Sequence, residues 1–438
     1  MPSSDSTPLS KSPFSDPGLL LLKVLSLASI CIFSAGLIAF WFGASGFNAT
    51  NGRILSSDLT QHYAAGKMVA EGRMQDLYRD SKLGDRMGEL FGGPNFGKTS
   101  GFNYLYPPLH ALMVSSLVTL PYKTFAALWL AASVGLYLAG AYFILKCFPS
   151  LAGRPGLLFM AGLPVFFYGL IVGQNAALSF FIYAGAALLL CRNRPFLAGL
   201  LAACLFYKPQ FLLAPGVFML LAGHWRYFSG LCLGSLGFLL LGLWTCGIDS
   251  HLAWLGVMKN LLCGGQNQIF NLNQSLRYFL LSLHDSSPTA RGLAEAAFSV
   301  FSMLLFAASA LLVRWSRPLR AVGSQHALLF AISLVLLISP YVMYYDLLLG
   351  AGWWIAVMAS SDSGLKLRRN LLLLFFWGIT LFSINFEGWK VAPTAPLLLA
   401  WLAGGFWIVY QPRLRQLKAG CLEDCNILRK FLCRESNT

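Results

Sequence analysis

Apolar runs of roughly 15 to 25 residues recur from Leu19 to Tyr410, separated by short polar connections. A helix needs about 20 apolar residues to cross a bilayer, so a chain written this way points to a polytopic α-helical membrane protein. The composition agrees, with 57% hydrophobic and only 11% charged residues, where a soluble chain carries about 25% charged residues. No train of alternating ten-residue segments suggests an outer-membrane barrel.

Twelve crossing segments are expected, at roughly 18–42, 121–147, 155–172, 175–191, 196–208, 209–223, 227–247, 290–314, 323–340, 342–360, 370–386 and 393–410. Several are shorter than the ~20 residues of a full crossing. Those around Lys208-Pro209 and Pro340 read as broken or half-crossing helices. The run from Tyr106 to Leu120 opens on Pro107-Pro108 and reads as an interfacial or re-entrant helix. The expected fold class is therefore an all-α polytopic membrane protein with a bundle of about 12 transmembrane helices. In this division residues 1–17 form a disordered cytoplasmic N-terminus, 18–410 the membrane domain and 411–438 a cytoplasmic tail. Within the domain, 43–105 is a long outward loop and 248–289 a second outward segment. The run after Pro17 is too long for a signal-peptide core, and no small-residue cleavage site follows it closely, which implies a retained helix. No clear internal repeat is visible.

The net charge of +15 would suggest nucleic acid in a soluble protein. Here the basic residues sit in short loops between apolar runs. One set of connections holds Lys146, Arg154, Arg192, Arg194, Arg226, Arg314, Arg317, Arg320, Lys366, Arg368 and Arg369, with Arg413, Arg415 and Lys418 in the tail. Short connections on the other side hold only Lys208, Lys259, Arg277, Arg291 and Lys390. The positive-inside rule puts the first set and both termini in the cytoplasm, as in a bacterial inner or plasma membrane, with Asp58 facing outward. The ten cysteines lie mainly in apolar runs, where Cys is a small hydrophobe. Cys421, Cys425 and Cys433 have no nearby His, and their spacing does not read as a metal site.

The candidate chemistry collects on the outward side. Ser56 or Ser57 can cap a helix whose first turn contains Asp58, and His62 lies four residues on, on the same face. Ala64-Ala65-Gly66 then permits close approach to a neighbour. Asp58 reads as a general base at the water-facing end of the bundle, or as an ordinary first-turn acid favoured by the helix dipole. Lys208, at the Pro209 break with Gln210 beside it, reads as an ammonium holding a phosphate, or as a lysine snorkelling to headgroups. Gly173-Gln174-Asn175 and Asn271-Leu272-Asn273-Gln274-Ser275-Leu276-Arg277 offer amides and a guanidinium for sugar hydroxyls and phosphate oxygens, or are solvated turns. Asp346, in Ser339-Pro340-Tyr341-Val342-Met343-Tyr344-Tyr345-Asp346, reads as a second site carboxylate, a partner of Lys208 or a capping acid. Asn48-Ala49-Thr50 and Asn273-Gln274-Ser275 match the glycosylation pattern, which has meaning only in a secretory membrane. The chain contains no Walker loop, Rossmann glycine fingerprint or zinc helix motif. The outward loops lack an acidic pair of the DxD kind.

These residues resemble glycosyltransferase family 87, the DUF2029 group of the GT-C superfamily. The resemblance is carried by Asp58…Tyr63-Ala64-Ala65-Gly66…Gly72…Leu77-Tyr78, by Tyr106-Pro107-Pro108 with Leu120-Pro121 and Leu128-Trp129, and by Gly173-Gln174-Asn175. It continues in Ala198-Gly199…Lys208-Pro209-Gln210 with Trp225-Arg226, and in Ser339-Pro340-Tyr341…Tyr345-Asp346-Leu347. Many family members have a His near the Ser339-Pro340 motif, where this chain has Tyr344-Tyr345-Asp346. The resemblance implies that Asp58 is the catalytic base and that the donor is a polyprenyl-phosphate sugar. It also implies metal-independent inversion without a cofactor. The substrate contacts expected beside Asp58 are His62, Tyr106, Gln174, Asn175, Lys208, Gln210, Asn273, Gln274, Arg277, Tyr345 and Asp346. A hexose or pentose, mannose-like, would pass to a lipid or glycan acceptor. Two other classes compete. A transporter or lipid flippase would place polar residues near the bilayer midplane in two similar halves. A non-catalytic assembly or polymer-ligase protein would also carry a large outward loop.

Overall fold

The computed structural model describes residues 19–43, 56–79, 82–92, 104–151, 154–262, 273–283, 288–316, 322–360, 365–383 and 393–411. The expected N-terminal tail, the Asn48 site, Asn271 and Leu272 of the second amide run, the Arg317 and Arg320 loop, Lys390 and the C-terminal cysteines lie outside them. The described residues are mostly helical and contain no strand, with one isolated antiparallel bridge between Asn273 and Met343.

The first long apolar run forms α1 (Leu20–Phe42). The loop after it folds into α2 (Leu59–Ala70), a 3₁₀ turn at Met74–Tyr78 and α3 (Lys82–Phe91). Pro107 and Pro108 open α4 (Pro108–Ser115). Then come α5 (Tyr122–Cys147), α6 (Arg154–Ala161), α7 (Pro164–Val172), α8 (Ala176–Cys191) and α9 (Pro195–Ala202). The chain continues through α10 (Pro209–Leu221), α11 (Trp225–Cys246), α12 (Ile248–Leu262), α13 (Leu276–Ser282) and α14 (Pro288–Trp315). It closes with α15 (Ser324–Ile338), α16 (Ala351–Ala359), α17 (Lys366–Phe382) and α18 (Thr394–Gln411).

Among the described residues, five helices are long and apolar enough to cross a membrane: α1, α5, α11, α14 and α18. That supports an α-helical membrane protein but does not reach the twelve crossings expected. The difference has local causes. The segment expected as one crossing over 155–172 breaks into α6 and α7, because Leu163 is extended and Pro164 starts a new helix. A proline ring cannot continue the helix before it. The 196–208 segment ends in a 3₁₀ turn at Ala203–Tyr207, with Lys208 outside helical geometry (φ −127°, ψ 76°) before Pro209. The 342–360 segment begins as a 3₁₀ turn at Tyr344–Gly350 after Pro340.

Two apolar cores result. The larger runs through the bundle and includes Trp353, Trp354, Trp401 and Phe376. The smaller joins the first loop to the bundle, with Leu59, Tyr63, Met68, Leu83 and Met87 packed against Tyr104, Val114, Phe125 and Val257. Here α2 lies against α4. A Cβ at Gly66 would stand 2.7 Å from Val118 and 3.1 Å from Val114, so this crossing needs a glycine. The long helices show the reverse burial. Leu27, Ile32, Ile38 and Phe42 on α1, and Leu236, Leu240 and Trp244 on α11, are exposed, as a bilayer-facing surface requires.

Candidate active site

The N-terminus of α2 meets the C-terminus of α7. The Asp58 N–H donates to Val172 O at 3.0 Å, and the Gln174 N–H donates to Gly169 O at 3.0 Å. Gly173 between them has φ +76°, and a Cβ there would stand 2.7 Å from Leu59 and 2.9 Å from Ser56. A glycine satisfies both the left-handed backbone and the contact. Ser56 also sits at positive φ, +52°, with its carbonyl accepting from Tyr122 Oη at 3.1 Å. Such conformations concentrate at functional sites when the surroundings hold them.

The structure corrects the expected helix start. Asp58 is the N-cap of α2 and not a first-turn residue, and its carboxylate caps no backbone N–H. Instead Oδ2 accepts from Gln174 Nε2 at 2.7 Å, and Oδ1 has Ser57 Oγ at 3.5 Å. A capping acid would turn to its own N2 or N3 amide. This one turns across to another element. Burial pushes its carboxyl above the usual range, against the opposing pull of the Gln174 and Ser57 hydrogen bonds and the Lys208 charge.

Tyr106 sits at a bend just before α4, with Tyr78 Oη donating to its carbonyl at 2.7 Å. Its own Oη donates to Gln174 Oε1 at 3.2 Å. The Tyr106 ring stacks on His110, 4.7 Å between centroids. His62 follows Asp58 by one helical turn but makes no hydrogen bond to it or to Gln174. It is buried, and neither ring nitrogen has a hydrogen-bond partner. Its ring lies 4.8 Å from Tyr106, 5.1 Å from His110 and 5.6 Å from Trp129. Burial, followed by the fields of His110 and Lys208, holds it well below the usual imidazole range, which keeps the ring neutral.

Lys208 and Asp346 close the other side. They are buried and paired, Nζ to Oδ1 at 2.7 Å. Asp346 Oδ2 also accepts the Met343 N–H at 3.1 Å. Lys208 Nζ lies 5.5 Å from the ring centroids of both Phe211 and Tyr345. The phenols of Tyr341 and Tyr345 lie within the fields of both Asp58 and Asp346. Asn175, at the N-cap of α8, is 1% exposed, and Gln210 is half-buried in the first turn of α10.

The 273–277 group stands differently from its sequence reading. Asn273 accepts the Val342 and Ser275 N–H groups at 3.1 and 3.0 Å and donates to Pro340 O at 3.0 Å. Gln274 accepts from Thr394. Arg277 grips Glu295, with Nε at 3.0 and 2.8 Å from its two oxygens and Nη2 at 2.6 Å. In this arrangement Asn273 braces the 340–343 turn, and Arg277 is paired with a carboxylate rather than presented to a phosphate. Trp129, quoted above only as part of a motif, packs beside His62, and residues not singled out in the sequence also line the site region: Tyr122, Tyr207, His110 and Tyr104, whose Oη lies 2.6 Å from His110 Nδ1. His110 carried a signal, since a histidine two residues past Pro107-Pro108 begins an apolar helix.

Among the described residues, no group of three or more His, Cys, Asp or Glu side chains is placed to hold a metal ion. The family model described as glycosyltransferase family 87 matches residues 104–340, more than half of the chain. Asp58, Tyr345 and Asp346 fall outside that stretch. No curated protein and no solved structure matches the chain.

Proposed function

The chain belongs to glycosyltransferase family 87, and on that premise we propose that it is an inverting transferase with Asp58 as its base. The donor is a polyprenyl-phosphate-linked hexose or pentose, mannose-like, and the acceptor is a lipid or glycan hydroxyl. Twelve crossings, cytoplasmic termini and an outward-facing site complete the reading, supported by the basic residues of the short loops. Membrane lipids surround the bundle, and nucleic acid has no part in it.

The observation that carries the proposal is the Asp58 carboxylate, half-buried, turned away from its own helix and held by Gln174. A carboxyl raised by burial is a better proton acceptor than one in water. The acceptor oxygen bonds to the anomeric carbon from the face opposite the phosphate. Its proton passes to Asp58, and the anomeric C–O bond breaks with its electron pair leaving on the phosphate. This is the base half of inverting glycoside chemistry. The leaving phosphate needs no general acid. Lys208 has three N–H donors, one facing Asp346, and its charge offsets the anion that develops.

The donor class is tested by offering the purified protein a panel of polyprenyl-phosphate sugars and nucleotide sugars with a lipid acceptor. Turnover of the lipid-linked sugars alone, with inversion at the anomeric carbon, is expected. Transfer from a nucleotide sugar, or retention of configuration, would overturn the reading.

A further inference from the structure

The two oxygens of Asp58 are not equivalent. Oδ2 is taken by Gln174 Nε2 at 2.7 Å, while Oδ1 has only the 3.5 Å approach of Ser57 Oγ. The Gln174 amide is itself fixed, because its Oε1 accepts from Tyr106 Oη at 3.2 Å. An amide turned the other way would set its carbonyl against the carboxylate, so Asp58 selects the orientation that gives it an N–H, and the phenol's donation to Oε1 then holds that amide in place. The backbone holds the same register. Asp58 N–H binds Val172 O, and Gln174 N–H binds Gly169 O, so both ends of the side-chain bond are anchored to the last turns of α7.

We infer that Tyr106 and Gln174 are positioning residues that fix the Asp58 rotamer and leave Oδ1 to take the acceptor's proton. The inference rests on Asp58 being the base. It separates these two residues from the substrate contacts with which their sequence motifs had grouped them. Small errors in the placement of a base cost on the order of 10²-fold in rate, so the relay acts on turnover and not on affinity.

The test is the kinetics of Gln174→Leu, Tyr106→Phe and the double variant, with donor and acceptor varied separately across pH. Gln174→Leu should lower kcat by about 10- to 100-fold with the KM for donor little changed. It should also move the acid limb of kcat/KM to higher pH, because the hydrogen bond it removes favours the charged carboxylate. The titratable groups whose fields reach Asp58 are Lys208, Tyr106, Tyr122, Tyr341 and Tyr345. Gln174→Leu leaves all of them in place, so the shift would report the lost bond. Tyr106→Phe removes one oxygen and serves as the folded control if Gln174→Leu misfolds. It should lower kcat less, and the double variant should be no slower than Gln174→Leu within about twofold, as for residues acting through one bond. A rise in KM with kcat and the acid limb unmoved, or effects that multiply in the double variant, would overturn the relay. Full activity of Asp58→Asn would instead remove the base itself. An inactive Asp58→Asn with an unmoved acid limb in Gln174→Leu would remove only the relay.

Discussion

Lys208→Met leaves Asp346 buried without its cation, and the structure gives the scale of the consequence. The pair is 6% and 3% exposed, with Nζ 2.7 Å from Oδ1. At an effective dielectric constant of about 20, unit charges at that separation attract by roughly 6 kcal/mol. Desolvation of the two ions takes back several kcal/mol each, so the intact pair contributes little net stability. Removing one partner is different, because the desolvation already incurred is no longer offset. Lys208→Met and Asp346→Asn should each destabilise by about 3–5 kcal/mol. The double variant, with neither charge, should recover to within about 1–2 kcal/mol of the native chain. Asp346→Asn keeps an acceptor for the Met343 N–H that Oδ2 now binds at 3.1 Å, which limits its damage to the charge. The assay is unfolding of the detergent-solubilised protein by SDS titration, followed by tryptophan fluorescence. Single variants that each lose under about 1 kcal/mol, with additive losses in the double variant, would describe a solvated pair and refute the reasoning.

Asp58→Asn should lower turnover by about 10²–10⁴-fold or more without lowering the thermal midpoint at neutral pH. The sign follows from its raised carboxyl. A group raised on folding contributes stability below its unfolded pKa and loses it as pH rises through the folded value, so neutral Asn removes a strain present at neutral pH. The same shift places the acid limb of kcat/KM above the ordinary aspartate range, which a pH–rate profile reads directly. Gly173→Ala should abolish activity and lower the thermal midpoint, since the Cβ meets Leu59 and Ser56 under 3 Å at a φ of +76°; a fully active variant would mean the α2–α7 junction is not needed. Arg277→Met should destabilise the fold through Glu295 while leaving donor KM unchanged in the protein that remains folded. A large rise in donor KM would return Arg277 to the phosphate.

The membrane architecture is legible in the sequence because α1, α5, α11 and α14 are long, strongly apolar runs. The helix breaks are half legible. Pro209 and Pro340 mark theirs, but Gly162-Leu163-Pro164 lies inside a run with no charged residue, so average hydropathy joins α6 to α7. The site is legible in type more than in pairing. Asp58, Gln174, Lys208 and Asp346 stand out as polar residues at the ends of apolar runs. Yet Gln174 meets Asp58 across 116 residues and Asp346 meets Lys208 across 138, and such pairings depend on helix packing that spacing does not encode. For the same reason Arg277 reads as a free cation in the sequence, although Glu295 on α14 grips it through two nitrogens. His62 shares a helix face with Asp58, as an i, i+4 pair must, but that face turns inward onto Tyr106, His110 and Trp129.

The central claim is that Asp58 removes the acceptor proton as a lipid-phosphate sugar is transferred. It is tested most directly by the release of polyprenyl phosphate from a polyprenyl-phosphate sugar, with and without acceptor, by the native protein and by Asp58→Asn. Acceptor-dependent release by the native protein, with release by folded Asp58→Asn falling by at least about 10²-fold, is the predicted result. Release at native rates by Asp58→Asn would contradict the account.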